Sequence, residues 1–129
     1  MRRIYVAGAI TPTGPGHPVI EFLNNQRRGI RTAVDLLLRG YAPYCPFLDN
    51  LYWLTLREGE EIPPSTIYEV SLAMLEMCDA LLLVPGWERS EGTRNELERA
   101  RQLDIPIFHN QQALDAYFDG RSRGKGKKR

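Results

Sequence analysis

The chain reads as a doubly wound, Rossmann- or flavodoxin-like three-layer α/β domain with a mostly parallel sheet of four to five strands. Three observations predict it. Short apolar runs alternate with longer amphipathic stretches along 129 residues, a length that suits one domain. The run Ala80 to Val84, ALLLV, is apolar without interruption, as in a strand buried on both faces. Glycine-bearing loops follow the first and third apolar runs, on the sheet edge where such folds bind ligands.

Each element has its own warrant. Arg3 to Ala7 (RIYVA) is a buried strand. Gly8 to Gly16 (GAITPTGPG) follows it as a loop, because its glycines and prolines exclude regular structure. Gly8 permits close backbone approach to a ligand, and Ile10 lies beside it, but the spacing matches neither a dinucleotide fingerprint nor a P-loop. Pro18 to Arg39 is a long helix whose inner face is expected to be Ile20, Leu23, Ile30, Val34, Leu37 and Leu38. Pro18 suits its first turn and Gly40 its stop, while residues 24 to 28 (NNQRR) are expected to face solvent.

Tyr41 to Cys45 is a second strand, weakened by Pro43. Residues 46 to 64 are long and irregular, and carry Phe47, Leu51, Tyr52, Trp53 and Leu54. Such a segment is a lid, a subunit interface, or a short helix packed on the core. Asp49 lies within it, placed to contact a substrate hydroxyl. Ser65 to Met77 is a helix with Ser65 or Thr66 as its cap. Asp79 to Pro85 is the third strand, residues 86 to 92 a turn, and a helix then runs to about Leu103. Asp104 to Phe108 is the fourth strand and Gln111 to Phe118 a last helix.

Composition narrows the function classes. With 43% hydrophobic and 26% charged residues the chain is an ordinary globular domain, and no apolar run is long enough to span a bilayer. The opening MRRIYVAGAI reads as strand and loop rather than a signal peptide, so the expected location is cytoplasmic. Cys45, Cys78, His17 and His109 lack metal-ligand spacing, so no metal or other cofactor is expected. Residues 1 to 120 hold 11 basic and 16 acidic residues, an unsuitable balance for a duplex-binding domain. Residues 121 to 129, RSRGKGKKR, contain six basic residues and nothing apolar. They form an expected disordered tail outside the 1 to 120 domain, either suited to weak nucleic-acid contact or merely solubilising.

The chemistry concentrates after the third strand. At about 100° per residue, Thr93, Leu97, Ala100 and Leu103 form one helical stripe. Glu96 lies roughly 40° from its centre and Glu98 on the opposite face. A carboxylate turned toward a core needs a partner or a task, because burying it unpaired costs several kcal/mol. A structural ion pair would satisfy it as well as a catalytic role. Ser90, Gly92 and Thr93 stand at the helix start, where free backbone N–H groups hold anions. A small phosphorylated or polyhydroxylated substrate suits both features.

RIYVAGAI near the start and CDALLLVPGWERSEGTRNELERARQLDIPIF from Cys78 resemble the nucleoside 2-deoxyribosyltransferase-like superfamily. The wording PGWE-x-S-x-G-x-x-x-E is closest to its small DUF4406 branch. The resemblance spans most of residues 3 to 108, and its second motif is the more specific. It implies cleavage of the N-glycosidic bond of a nucleoside or nucleotide, or deoxyribosyl transfer. Glu96 would be the nucleophile at C1′ and Tyr5 the residue that orients it. Ser90 stands where relatives that act on free nucleosides carry aspartate, which favours a 5′-monophosphate. Trp87 would stack on the base or pack under the turn. A homodimer or larger homo-oligomer is implied. One position departs from the pattern: Ser71 stands where the family has a general-acid aspartate, and a hydroxyl cannot supply a proton as a carboxylic acid can. Glu69 or Asp49 would then substitute, the base would leave without an acid, or the chain would be a non-catalytic nucleotide-binding sensor or regulatory protein.

Overall fold

The computed structural model describes the backbone of residues 1–124 and the side chains of residues 1–120. Four strands form its sheet: β1 (Arg3–Ala7), β2 (Ala42–Tyr44), β3 (Ala80–Leu83) and β4 (Ile107–Phe108). All pairings are parallel and the spatial order is β2-β1-β3-β4. The helices are α1 (Pro18–Leu38), α2 (Pro64–Leu75), α3 (Glu91–Gln102) and α4 (Gln111–Gly124). Two 3-10 stretches, Pro46–Thr55 and Trp87–Arg89, lie at the sheet's C-terminal edge. The expected doubly wound α/β architecture is therefore present, with an all-parallel sheet.

Side-chain alternation along β1 divides the core into two layers. Ile4 and Val6 pack with Ala33, Leu36, Phe47, Leu114 and Phe118, on the α1 and α4 side. Tyr5 and Ala7 pack with Leu75, Leu97 and Ala100, on the α2 and α3 side. β3 divides in the same way and is buried throughout, as its unbroken apolar run requires. The chain leaves β1 toward β2 on one side and returns to β3 on the other. The loops after β1 and β3 thus diverge, opening a crevice at the topological switch point.

The inner face of α1 differs from the expected one. Asn25, Gly29, Ala33 and Leu36 are buried, whereas Ile20, Leu23, Leu37 and Leu38 are more than half exposed. The cause is the ring of Phe47. A Cβ on Gly29 would lie 2.3–2.4 Å from its atoms, so only a helix face of small residues can approach this closely. Asn25 is not solvated either; its amide donates to the Ile10 carbonyl at 3.2 Å and its carbonyl accepts from Arg28.

Other corrections concern ends. α2 starts at Pro64 after Pro63, and neither Ser65 nor Thr66 caps it. Its Val70 and Met74, and Met77 beyond its end, are exposed rather than packed. Leu103 is 37% exposed and falls outside the α3 stripe of Thr93, Leu97 and Ala100. α1 is capped by the His17 ring, whose Nδ1 accepts from the Val19 N–H. α4 continues through Gly124, beyond the expected end at Phe118. The rest of the expected disordered tail, residues 125–129, lies outside the described residues. Among the described residues no helix is long and apolar enough to cross a membrane.

Candidate active site

A cavity of about 730 Å³ opens at the switch point, within the range of small-molecule sites. Four segments build its walls. The loop after β1 contributes Gly8, Ile10, Thr11 and Thr13. The 3-10 segment contributes Pro46, Asp49, Asn50 and Trp53, and α2 contributes Ile67, Tyr68 and Ser71. The turn into α3 contributes Arg89, Ser90, Gly92, Thr93, Arg94 and Glu96.

Local sequence explains how each wall is held. Gly8 lacks a Cβ where one would stand 2.8 Å from Val84 Cβ, so the chain leaving β1 can pass close against the residue that follows β3. Asn25 holds the loop after β1 through Ile10, and Glu21 accepts from the N–H groups of Thr13 and Gly14 at 2.9 Å each. The 3-10 segment is pinned by Phe47 over Gly29 and by Gln26, whose side-chain amide donates to the Phe47 carbonyl at 2.7 Å. Gly86 takes φ +91, a left-handed turn that L side chains resist, and so sends the chain back toward α3.

Glu96 is part-buried on α3, and Tyr5 of β1, fully buried, donates its hydroxyl to Glu96 Oε2 at 2.6 Å. Burial pushes the Glu96 carboxyl up from 4.5 to about 7, and the Tyr5 bond pulls against that rise. Burial and the neighbouring carboxylate push the Tyr5 phenol well above its ordinary value, so it stays a proton donor. Glu98 is exposed on the far face of α3, as its spacing required.

A second pair lies beside the first. Tyr44 of β2 stands opposite Tyr5 in the strand register, with ring centroids 5.5 Å apart. Its hydroxyl donates to Asp49 Oδ2 at 3.0 Å. Burial raises the Asp49 carboxyl, with the Tyr44 bond opposing. Ser71, 4% exposed, lies near both phenols and lines the cavity.

The start of α3 forms the polar end of the cavity. Ser90 caps the helix, its Oγ accepting from the Thr93 N–H at 3.1 Å. That N–H is therefore committed. The N–H groups of Glu91 and Gly92 have no acceptor among the described residues. Thr93 Oγ1 is buried and unpartnered on the same wall. Arg89 and Arg94 add positive charge; Arg94 is held by the Glu88 carbonyl, while Arg89 lies a loose 3.9 Å from Glu21.

Of the residues singled out from sequence, Gly8, Ile10, Asp49, Ser90, Gly92, Thr93 and Glu96 line the cavity, and Tyr5 stands directly behind Glu96. Trp87 does not line it. It packs against the core layer that holds Leu75, Leu97 and Ala100, directly after the left-handed Gly86, and its ring lies 6.1 Å from the His109 ring. Trp53 is the tryptophan on the cavity wall. Tyr68, Asn50, Arg89 and Arg94 are site residues that sequence reasoning missed. Tyr68 lies one residue beyond an apolar position of α2, the one signal that could have found it.

Fold and site together define a small parallel α/β domain with a ligand cavity over its switch point, holding a hydrogen-bonded carboxylate and a helix N-terminus. More particularly, the chain belongs to the family described as Domain of unknown function (DUF4406), whose model matches residues 2–109. A comparison with curated proteins finds none that matches it.

Proposed function

We propose that the protein cleaves the N-glycosidic bond of a small nucleotide, a nucleoside 5′-monophosphate, through a covalent glycosyl-Glu96 intermediate. The reading draws on the resemblance to nucleoside 2-deoxyribosyltransferase-like proteins. The observation that carries it is the Tyr5–Glu96 bond of 2.6 Å on the wall of the cavity. Tyr5 occupies Oε2 and leaves Oε1 for C1′. A part-desolvated carboxylate is a stronger nucleophile than a hydrated one, and it also stabilises the positive charge that develops at C1′. The start of α3 supplies the second support. Two free N–H groups, the Thr93 hydroxyl and Arg89 suit a 5′-phosphate. Trp53 offers an aromatic face for the base.

A homo-oligomer belongs to the same proposal. Leu51, Tyr52 and Leu54, on the segment that forms one cavity wall, are 55%, 55% and 79% exposed, an apolar surface that a second copy would cover.

The test is incubation with a panel of nucleosides and 5′-monophosphates, with free base followed by chromatography. Base release from a monophosphate that Glu96→Gln abolishes is the expected result. Nucleotide binding by calorimetry without release would instead favour a sensor on the same scaffold. Release that survives Glu96→Gln would refute the covalent mechanism.

A further inference from the structure

We propose that Asp49 is the acid that protonates the departing base, replacing the carboxyl that Ser71 lacks. The inference rests on the glycosidic reading above. Asp49 and Glu96 line one cavity from different walls. Each carboxylate is held by a tyrosine hydroxyl, and the two tyrosines are register partners on adjacent parallel strands about 4.8 Å apart. The frame thus orients both carboxyls on the walls of one cavity. Ser71 lines the same cavity near both phenols, but its hydroxyl cannot supply a proton as a carboxylic acid can.

The surroundings of Asp49 suit the base rather than the phosphate. Asn50 and Trp53 belong to its own 3-10 segment and line the same wall; Trp53 offers an aromatic face, and Asn50 its side-chain carbonyl, its amide nitrogen being held by Gln26 and the Phe47 carbonyl. The cationic groups lie at the α3 end instead. Other acids fit less well. Glu69 is exposed and does not line the cavity, and Glu91 sits at the anion end beside Arg89 and Arg94. Burial of Asp49 also favours its protonated form.

The steps balance. Oε1 of Glu96 bonds to C1′ as the C1′–N bond breaks. The bonding electron pair goes to the base, and the Asp49 proton goes to a ring nitrogen or carbonyl oxygen of that base. Water then attacks C1′, giving its proton to the Asp49 carboxylate. The C1′–Oε1 bond breaks and both carboxyls return to their starting states. The net reaction is nucleotide plus water to base plus sugar phosphate.

The experiment compares wild type, Asp49→Asn, Asp49→Glu and Glu96→Gln on nucleotides of graded leaving ability, ending with an N-methylated cationic base that departs neutral without a proton. Asp49→Asn is expected to slow release of ordinary bases by about 100-fold or more, and release of the cationic base by less than about tenfold. Asp49→Glu should restore part of the ordinary rate, and Glu96→Gln should remove both activities. Equal losses on both substrate types would overturn the assignment, as would an Asp49→Asn enzyme with unchanged rates. If wild type releases no base at all, the glycosidic reading falls and the assignment with it. Release that needs Glu96 but not Asp49 overturns the assignment alone.

Discussion

Replacing Glu96 by glutamine should stabilise the protein above neutral pH. Burial raises the Glu96 carboxyl from 4.5 to about 7 in the folded state. The native chain therefore holds a proton that the unfolded chain has already released. Stability falls as pH climbs from about 4.5 to about 7 and stays lower above it. At 1.36 kcal/mol per pH unit, a rise of that size is worth about 3 kcal/mol. This is a sizeable share of the roughly 5–15 kcal/mol that holds a domain folded. Glutamine stays neutral and can still accept the Tyr5 hydroxyl through its amide oxygen, so it escapes the penalty. The assay is urea unfolding at pH 5 and pH 8, followed by tryptophan fluorescence. The stability gap between variant and wild type should widen by roughly 2 to 3 kcal/mol from the lower to the higher pH. Comparing the gaps cancels every other titrating group that the two proteins share. A gap that stays constant, or that narrows toward pH 8, would refute the claim that Glu96 ionises against its surroundings. Under the proposed function the gain would come with loss of base release, as is common when a functional group held at a cost in stability is removed.

Four further expectations follow from the same geometry. Base release should rise with pH through about 7 as Glu96 ionises, and Tyr5→Phe should move that limb upward, since the lost bond lowers the Glu96 value; a limb left in place in the pH profile would contradict it. Gly29→Ala should cost about 1–3 kcal/mol in denaturant titration by pushing into the Phe47 ring, whereas Gly16→Ala, with open space around it, should change stability by less than about 0.5 kcal/mol. Arg89→Ala should raise KM for a 5′-monophosphate about tenfold or more while leaving the matching nucleoside nearly unaffected; equal effects would place Arg89 away from the phosphate. Leu54→Ser should lower the mass measured by light scattering if its exposed face is covered by a second copy, and an unchanged mass would remove this surface from the interface.

What the sequence made legible was the part governed by periodicity. ALLLV reads as a central strand because burial on both faces leaves no room for polar alternation. Glu96 could be placed beside the buried stripe of α3 by rotation alone, and it lies there. Tyr5 is different. Nothing in RIYVA marks it out, and its role came from the family resemblance, since its partner is 91 positions away. The inner face of α1 was misread because periodicity counts large aliphatic side chains. This interface is selected instead by a ring from another segment that needs a glycine opposite it. Trp87 takes the second of its two expected places, packed on the core rather than on the cavity wall, while Trp53 of the 46 to 64 segment lines the cavity. The left-handed Gly86 directly precedes the packed indole, and the 3-10 stretch Pro46–Thr55 carries the other on the cavity wall. The Thr93 N–H, expected to hold an anion, is taken by Ser90, so the free donors lie at Glu91 and Gly92.

The fastening of the Pro46–Thr55 segment has a consequence for engineering. Phe47 sits as a peg against Gly29, and Gln26 clasps the same residue's carbonyl, so the segment is anchored near its first turn. The residues after Asn50 carry little of that attachment, with Leu51, Tyr52 and Leu54 more than half exposed. Anchor and reading head are therefore separate pieces of one short stretch. Of positions 51 to 54 Trp53 alone lines the cavity, so that position can be exchanged while peg and clasp stay in place. Selection or design can thus retune the ligand wall without rebuilding the frame that holds the two carboxylates.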